Sequence, residues 1–144
     1  MAAIRSVILD TGPLIAYLDE DEQHHDWACR QFGQIEGALV TCESVLSEAF
    51  FIIRTLPRHR GALRQMIRDG VFDLGFSLAK ECGAIAGLME QYRDVPMSLA
   101  DACLVRMSEL WPAAPIFTLD SDFRIYRRNK RQSLPLISPW NPEE

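Results

Sequence analysis

The chain has no apolar run long enough to cross a bilayer, no Cys-x-x-Cys pair, no internal repeat and no low-complexity tract. A spanning helix needs about 20 consecutive apolar residues. The run after Arg5 is broken by Asp10, Gly12 and Pro13, which also argues against a signal peptide, so a cytoplasmic protein with no membrane partner is expected. Cys29, Cys42, Cys82 and Cys103 are scattered through apolar or helical contexts, with no histidine at ligand spacing. They read as reduced filler rather than as a disulfide framework or a zinc site. No linker composition divides the chain, and 144 residues suit one domain, 1–144, burying roughly two-thirds of its unfolded surface. At 48% hydrophobic and 24% charged, the composition is that of an ordinary globular protein and excludes a disordered one.

A formal net charge of -5 argues against generic polyanion binding. The distribution of charge argues the other way. Ten of the fifteen basic residues fall in two stretches, Arg54, Arg58, Arg60, Arg64 and Arg68, then Arg124, Arg127, Arg128, Lys130 and Arg131. The first contains no acid and the second none after Asp122, so a local positive field can exist on an acidic molecule. Solvated helix faces would give the same pattern, and neither stretch alone establishes nucleic-acid binding. Arg124, Arg127 and Arg128 are the candidates for guiding a phosphate backbone.

Val7-Ile8-Leu9 reads as a buried strand, and Gly12-Pro13 turns the chain into a helix with proline in its first turn, over Leu14 to Leu18. Asp10 therefore closes a strand at its carboxyl end, the edge where open α/β sheets bind ligands. Further strands are predicted at 37–41, 71–74, 115–119 and 133–137, the last an edge strand because of Pro135. Helices are predicted from His24 to Phe32, Glu43 to Thr55, Arg58 to Asp69, Ser77 to Tyr92 and Ser98 to about Leu110, with a short basic one over Phe123 to Arg131. The alternation predicts an α/β fold, a three-layer α/β/α sandwich around a largely parallel sheet. The helix from Glu43 is apolar nearly all round, which predicts burial or a covering partner. Glu48 on it should be partly desolvated and should meet a counter-charge. Ala79, Gly83, Ala86 and Gly87 form a small-residue stripe that would let another element approach closely.

Acids stand at apolar boundaries in four places: Asp10, Glu48, Asp101, and Asp120 with Asp122. Each has a plainer explanation. Asp10 could merely end a strand, Asp120 could cap a helix, and Ser98-Leu99-Ala100-Asp101 matches a capping box. Together they can converge on one sheet edge, where carboxylates repel and raise one another's pKa unless a cation neutralises them. An all-oxygen set suits a hard ion, Mg²⁺ or Mn²⁺, and the chemistry that follows is phosphodiester hydrolysis by water. An aspartyl-phosphate phosphatase would want a second aspartate where Gly12 stands. A histidine-based ribonuclease finds no support, since His24, His25 and His59 lie outside every acidic motif.

In order and spacing, Leu9-Asp10-Thr11, Leu46-Ser47-Glu48-Ala49, Leu99-Ala100-Asp101-Ala102 and Thr118-Leu119-Asp120-Ser121-Asp122-Phe123 resemble the acidic motifs of the PIN (PilT N-terminus) domain nucleases. The similarity spans nearly the whole chain, whose length suits the single-domain VapC-type toxins of toxin–antitoxin pairs. It implies a PIN-like sandwich and a magnesium- or manganese-dependent endoribonuclease, usually a homodimer, held inactive by a small antitoxin on its apolar surface. By position it implies Asp10, Glu48, Asp101 and Asp120 as the acidic quartet, Asp122 as a further metal contributor, and Thr11 and Thr118 as supporting hydroxyls. Thr11 has a competing reading as the N-cap before Pro13. Alternatives are a nuclease of this fold outside a toxin–antitoxin pair, or a non-catalytic protein- or RNA-interaction module. In the latter, Phe50, Phe51, Leu56, Trp111 or Trp140 would supply contact surface, although such residues are better explained by a core.

Overall fold

Strand β1 (Val7–Leu9) is wholly buried, and its side chains alternate between two separate cores, Val7 and Leu9 in one and Ile8 in the other. Period-two alternation does this to any strand covered on both faces. A computed structural model of the chain describes residues 5–140, so the two ends of the expected 1–144 domain lie outside the described residues. Strands β2 (Leu39–Val40), β3 (Phe72–Asp73), β4 (Ile116–Phe117) and β7 (Leu136–Ile137) join β1 in a five-stranded sheet, ordered β3-β2-β1-β4-β7 and parallel throughout. Ile8 lies opposite Val40 on one side and Ile116 on the other.

Helices α1 (Thr11–Leu18), α2 (His25–Gly33), α3 (Glu43–Ile52) and α4 (Pro57–Arg68) cover one face, sending Leu14, Trp27, Leu46 and Leu63 toward Val7, Leu9 and Phe117. Helices α5 (Leu78–Gln91) and α6 (Leu99–Leu110) cover the other, placing Ile85 and Leu104 with Ile8 and Ile116. This is the three-layer sandwich that the pattern predicts. From β1 the chain steps outward to β2 and β3, then crosses back to β4 on the far side of β1. The order reverses between β1 and β4, which opens a crevice at their carboxyl ends.

Several local expectations are corrected. The first helix begins at Thr11, not Leu14, because the Asp10 carboxylate accepts the Thr11 backbone N–H; Asp10, not Thr11, is the N-cap. The basic segment 123–131 is not a helix. A single 3-10 turn (Ser121–Arg124) leads into an antiparallel hairpin of β5 (Arg127–Arg128) and β6 (Gln132–Ser133), whose connection holds Asn129 at φ 50° and Lys130 at φ 71°. A right-handed helix cannot pass through two left-handed residues. The expected strand at 133–137 is split, Ser133 going to the hairpin and Leu136–Ile137 to the sheet edge, with Pro135 between them. Of the two outcomes expected for α3, burial all round is not met, since Phe51 is 64% and Ile52 47% exposed, and a covering partner is the one left open. The small-residue stripe of α5 also faces outward, and a Cβ added at Gly83 or Gly87 would meet nothing within 4 Å. Among the described residues no helix is long and apolar enough to cross a membrane.

Candidate active site

Asp10 follows β1 directly, and its backbone N–H donates to the Phe117 carbonyl of β4 at 3.0 Å, so the ends of the two central strands are pinned together. Its side chain is buried and held at both oxygens. One accepts the Thr11 N–H at 2.7 Å and the other the hydroxyl of Thr118, fully buried, at 2.7 Å. The same Thr118 oxygen accepts the Asp120 N–H at 2.9 Å, which ties the first acid to the fourth through one hydroxyl. Gly12 completes the approach. A Cβ there would stand 3.1 Å from that of Leu119, tighter than ordinary packing accepts, so a side chain at this position would push α1 away from the end of β4.

Asp101 reaches the crevice from the first turn of α6. The capping box read from the sequence is real, with Ser98 Oγ accepting the Asp101 N–H at 3.0 Å and Asp101 accepting the Ser98 N–H. The capping carboxylate also accepts the Tyr126 hydroxyl at 2.9 Å and still lines the cleft. Capping and cleft-lining are one placement, not rival explanations. Asp120 does the same on its own element: it caps the 3-10 turn by accepting the Asp122 N–H and faces the cleft. Glu48 arrives from α3 and is more exposed than expected. What faces it is not a cation but the carboxylate of Asp101.

Asp10, Thr11, Glu48, Asp101 and Asp120 thus line one open cleft of about 260 Å³. Its electrostatics are those of uncompensated negative charge. Burial pushes Asp10 from the usual 3.8 up to about 7, against the opposing hydrogen bonds from Thr118 and Thr11, with Asp101 and Asp120 adding repulsion. Desolvation also raises Asp101, opposed by the Tyr126 hydroxyl. Glu48 is raised by desolvation first and by Asp101 next. Among the described residues none of the four makes a salt bridge. The Thr11 hydroxyl, near enough to Glu48 to oppose its rise, is buried and makes no hydrogen bond of ordinary geometry among the described residues.

An orphaned hydroxyl among mutually repelling carboxylates, with no side-chain nitrogen or sulfur donor lining the cleft among the described residues, fits a hard divalent ion such as Mg²⁺ or Mn²⁺. The carboxylates face one another across the cleft rather than touching. Among the described residues the trio whose ligand atoms all lie within 4.8 Å is elsewhere, Asp19, Glu20 and His59. Mg²⁺ keeps several of its waters and is held by one or two carboxylates, so a wide acidic cleft suits it. At the other trio, Arg58 already pairs with Glu20.

The remaining candidates are placed as follows. Asp122 is partly buried beside the cleft and does not line it. Thr118 lies beneath it, as a positioning hydroxyl. The Arg128 guanidinium is committed to the Ser108 and Pro112 carbonyls at the end of α6, at 2.9 and 3.0 Å. Arg127 Nη1 closes on the carbonyls of Arg124, Ile125 and Tyr126. Arg124 makes no side-chain hydrogen bond or ion pair among the described residues. In the earlier basic stretch Arg54 stacks over the Phe51 ring at 4.2 Å and Arg58 pairs with Glu20, as on a solvated helix face. Sequence reasoning missed Tyr126, whose hydroxyl meets Asp101 from 25 residues away with no motif to announce it.

Two comparisons with known proteins bear on this cleft. The family model described as PIN domain matches residues 7–129, a span that contains every cleft acid. The chain is 27% identical over 117 residues to Ribonuclease VapC26 of Mycobacterium tuberculosis (strain ATCC 25618 / H37Rv), covering 79% of this chain and 86% of that protein.

Proposed function

The chain belongs to the PIN domain family, and from that premise we propose that it is a metal-dependent endoribonuclease, the toxin of a toxin–antitoxin pair. The observation that carries the reading is the cleft at the β1/β4 crevice, which Asp10, Glu48, Asp101 and Asp120 line with no basic side chain among the described residues. Similarity to a protein named a ribonuclease supports RNA as the substrate. In this reading Asp10, Glu48, Asp101 and Asp120 hold Mg²⁺ or Mn²⁺, with Asp122 a supplementary contributor and Thr11 able to hydrogen-bond a water or a carboxylate. When bound, such an ion supplies Lewis-acid activation of water and charge stabilisation of the leaving oxygen of a phosphodiester.

The chain's own residues do the rest. Thr118 and the Thr11 N–H fix the Asp10 carboxylate in one orientation, so no reorganisation is needed when the site fills. The Tyr126 hydroxyl favours ionised Asp101 and fixes its orientation. Exposed Phe51, Ile52 and Leu99 lie beside the acids on α3 and α6 and form the apolar surface proposed for the antitoxin. A homodimer is proposed on the family resemblance and is checked by light scattering.

The deciding experiment is cleavage of structured and single-stranded RNA with Mg²⁺ or Mn²⁺, with a chelator and Asp101→Asn as controls. Chelation and the variant should each abolish turnover, by at least a hundredfold. Equal cleavage by wild type and Asp101→Asn would reveal a contaminant and remove the activity from this chain. A small DNA-binding protein encoded in the adjacent reading frame is the expected antitoxin.

A further inference from the structure

An acid-lined cleft repels the phosphodiester it is to cut, so a strand has to be gripped from outside it. A second pocket, of about 330 Å³, adjoins the 3-10 turn that carries Asp120 into the cleft. That volume falls at the lower end of the range for small-ligand sites, about 300–1,000 Å³. Its wall is the C-terminal segment about β7, which contributes Leu134, Leu136, Ser138 and Trp140. Arg124 and Arg127 line it as well, and among the described residues no carboxylate does. Arg127 is held in place by its Nη1 contacts to three successive carbonyls, and Arg124 has no competing partner among the described residues.

We propose that this pocket holds one nucleotide of the RNA strand, its base against Trp140 and its phosphate against Arg124 and Arg127. An indole wall with two guanidinium groups suits a planar base joined to an anion, and stacking on an aromatic face accepts any base. At a rise of about 2.0 Å per residue, the 3-10 turn sets Arg124 on the order of 8 Å along from Asp120, within reach of a neighbouring nucleotide on the same strand. The pocket is therefore a substrate-gripping site outside the acid cluster, and the proposal rests on the nuclease reading above.

The test is anisotropy of a labelled single-stranded RNA ten-mer in chelator, where nothing is cut, with wild type, Trp140→Ala, Trp140→Phe and Arg124→Ala, alongside metal-dependent cleavage by the same proteins. Trp140→Ala should weaken binding about 5- to 150-fold, with Trp140→Phe within about threefold of wild type as stacking requires. Arg124→Ala should lower the slope of log K against log salt by about 0.7, one phosphate contact on a single strand. Wild-type binding in both Trp140→Ala and Arg124→Ala would overturn the pocket, while Mg²⁺-dependent cleavage lost in Asp101→Asn would leave the nuclease standing. RNA binding that depends on Trp140 without cleavage under any divalent ion would do the reverse. If Trp140→Ala fails to fold, by its melting curve, Trp140→Phe and Arg124→Ala decide: an unchanged salt slope in Arg124→Ala sinks the proposal.

Discussion

At Asp10 a single carboxyl sets the terms of the site. Buried and raised to about 7, it binds a proton in the folded state that the unfolded chain has already lost above its usual 3.8. Metal-free stability should therefore fall as pH rises from about 4 to 7 and level off above that, a loss of about 4 kcal/mol from this one group. Asp10→Asn keeps an oxygen for the Thr11 N–H but leaves the Thr118 hydroxyl without its acceptor, which returns about 1 kcal/mol of the gain. The variant should be more stable than wild type by about 1–3 kcal/mol at pH 8 without metal, and no more stable at pH 4, as urea denaturation at the two pH values would show. A gain of equal size at both would mean that charge is not the cause. Asp10, Glu48, Asp101 and Asp120 were legible in the sequence because each stands where an apolar run stops. Tyr126 was not, since its value lies in a contact that only the folded chain creates.

Among the elements, the strands and long helices followed from periodicity, whereas the stretch after β4 did not. Its basic residues look like the polar face of a helix. The two left-handed residues Asn129 and Lys130 instead turn it into a hairpin, and local pattern carries little signal for φ at a lysine. The hairpin explains why the three arginines of this segment divide their work. Arg128 points back to the end of α6 and satisfies the Ser108 and Pro112 carbonyls, while Arg124 makes no such bond among the described residues. Arg128→Ala should therefore cost stability, about 1–2 kcal/mol, and leave the salt dependence of RNA binding unchanged, whereas Arg124→Ala should show the opposite pattern. Denaturation midpoints and binding slopes measured on the two variants give the comparison. A flattened slope in Arg128→Ala would return that side chain to the RNA-facing set. The exposed face of α3 was hidden for a related reason: apolar composition predicts that Phe51 and Ile52 are covered, but not whether the cover comes from this chain.

For the molecule as a whole, the acids that define the cleft are a cost to the fold until something neutralises them. Asp10, Glu48 and Asp101 are all displaced upward and none has a salt bridge among the described residues. An ion bound only by the folded state stabilises it by RT ln(1 + [L]/Kd), about 2.7 kcal/mol at a hundredfold excess over Kd. For a chain of this size that corresponds to a rise of roughly 10 °C in Tm. The ion competes with protons for the same carboxylates, so the rise should grow with pH, small near pH 5, where Asp10 holds its proton, and largest above 7. Ca²⁺, with the same charge and a larger radius, separates charge neutralisation from a fitted site: it should raise Tm without supporting cleavage, because the two ions differ in coordination geometry. Differential scanning calorimetry at pH 5 and pH 8, with and without Mg²⁺, makes the measurement. A melting temperature indifferent to divalent ions at pH 8 would mean that the cleft lives with its repulsion unaided, and the acids would then need another account than ion binding.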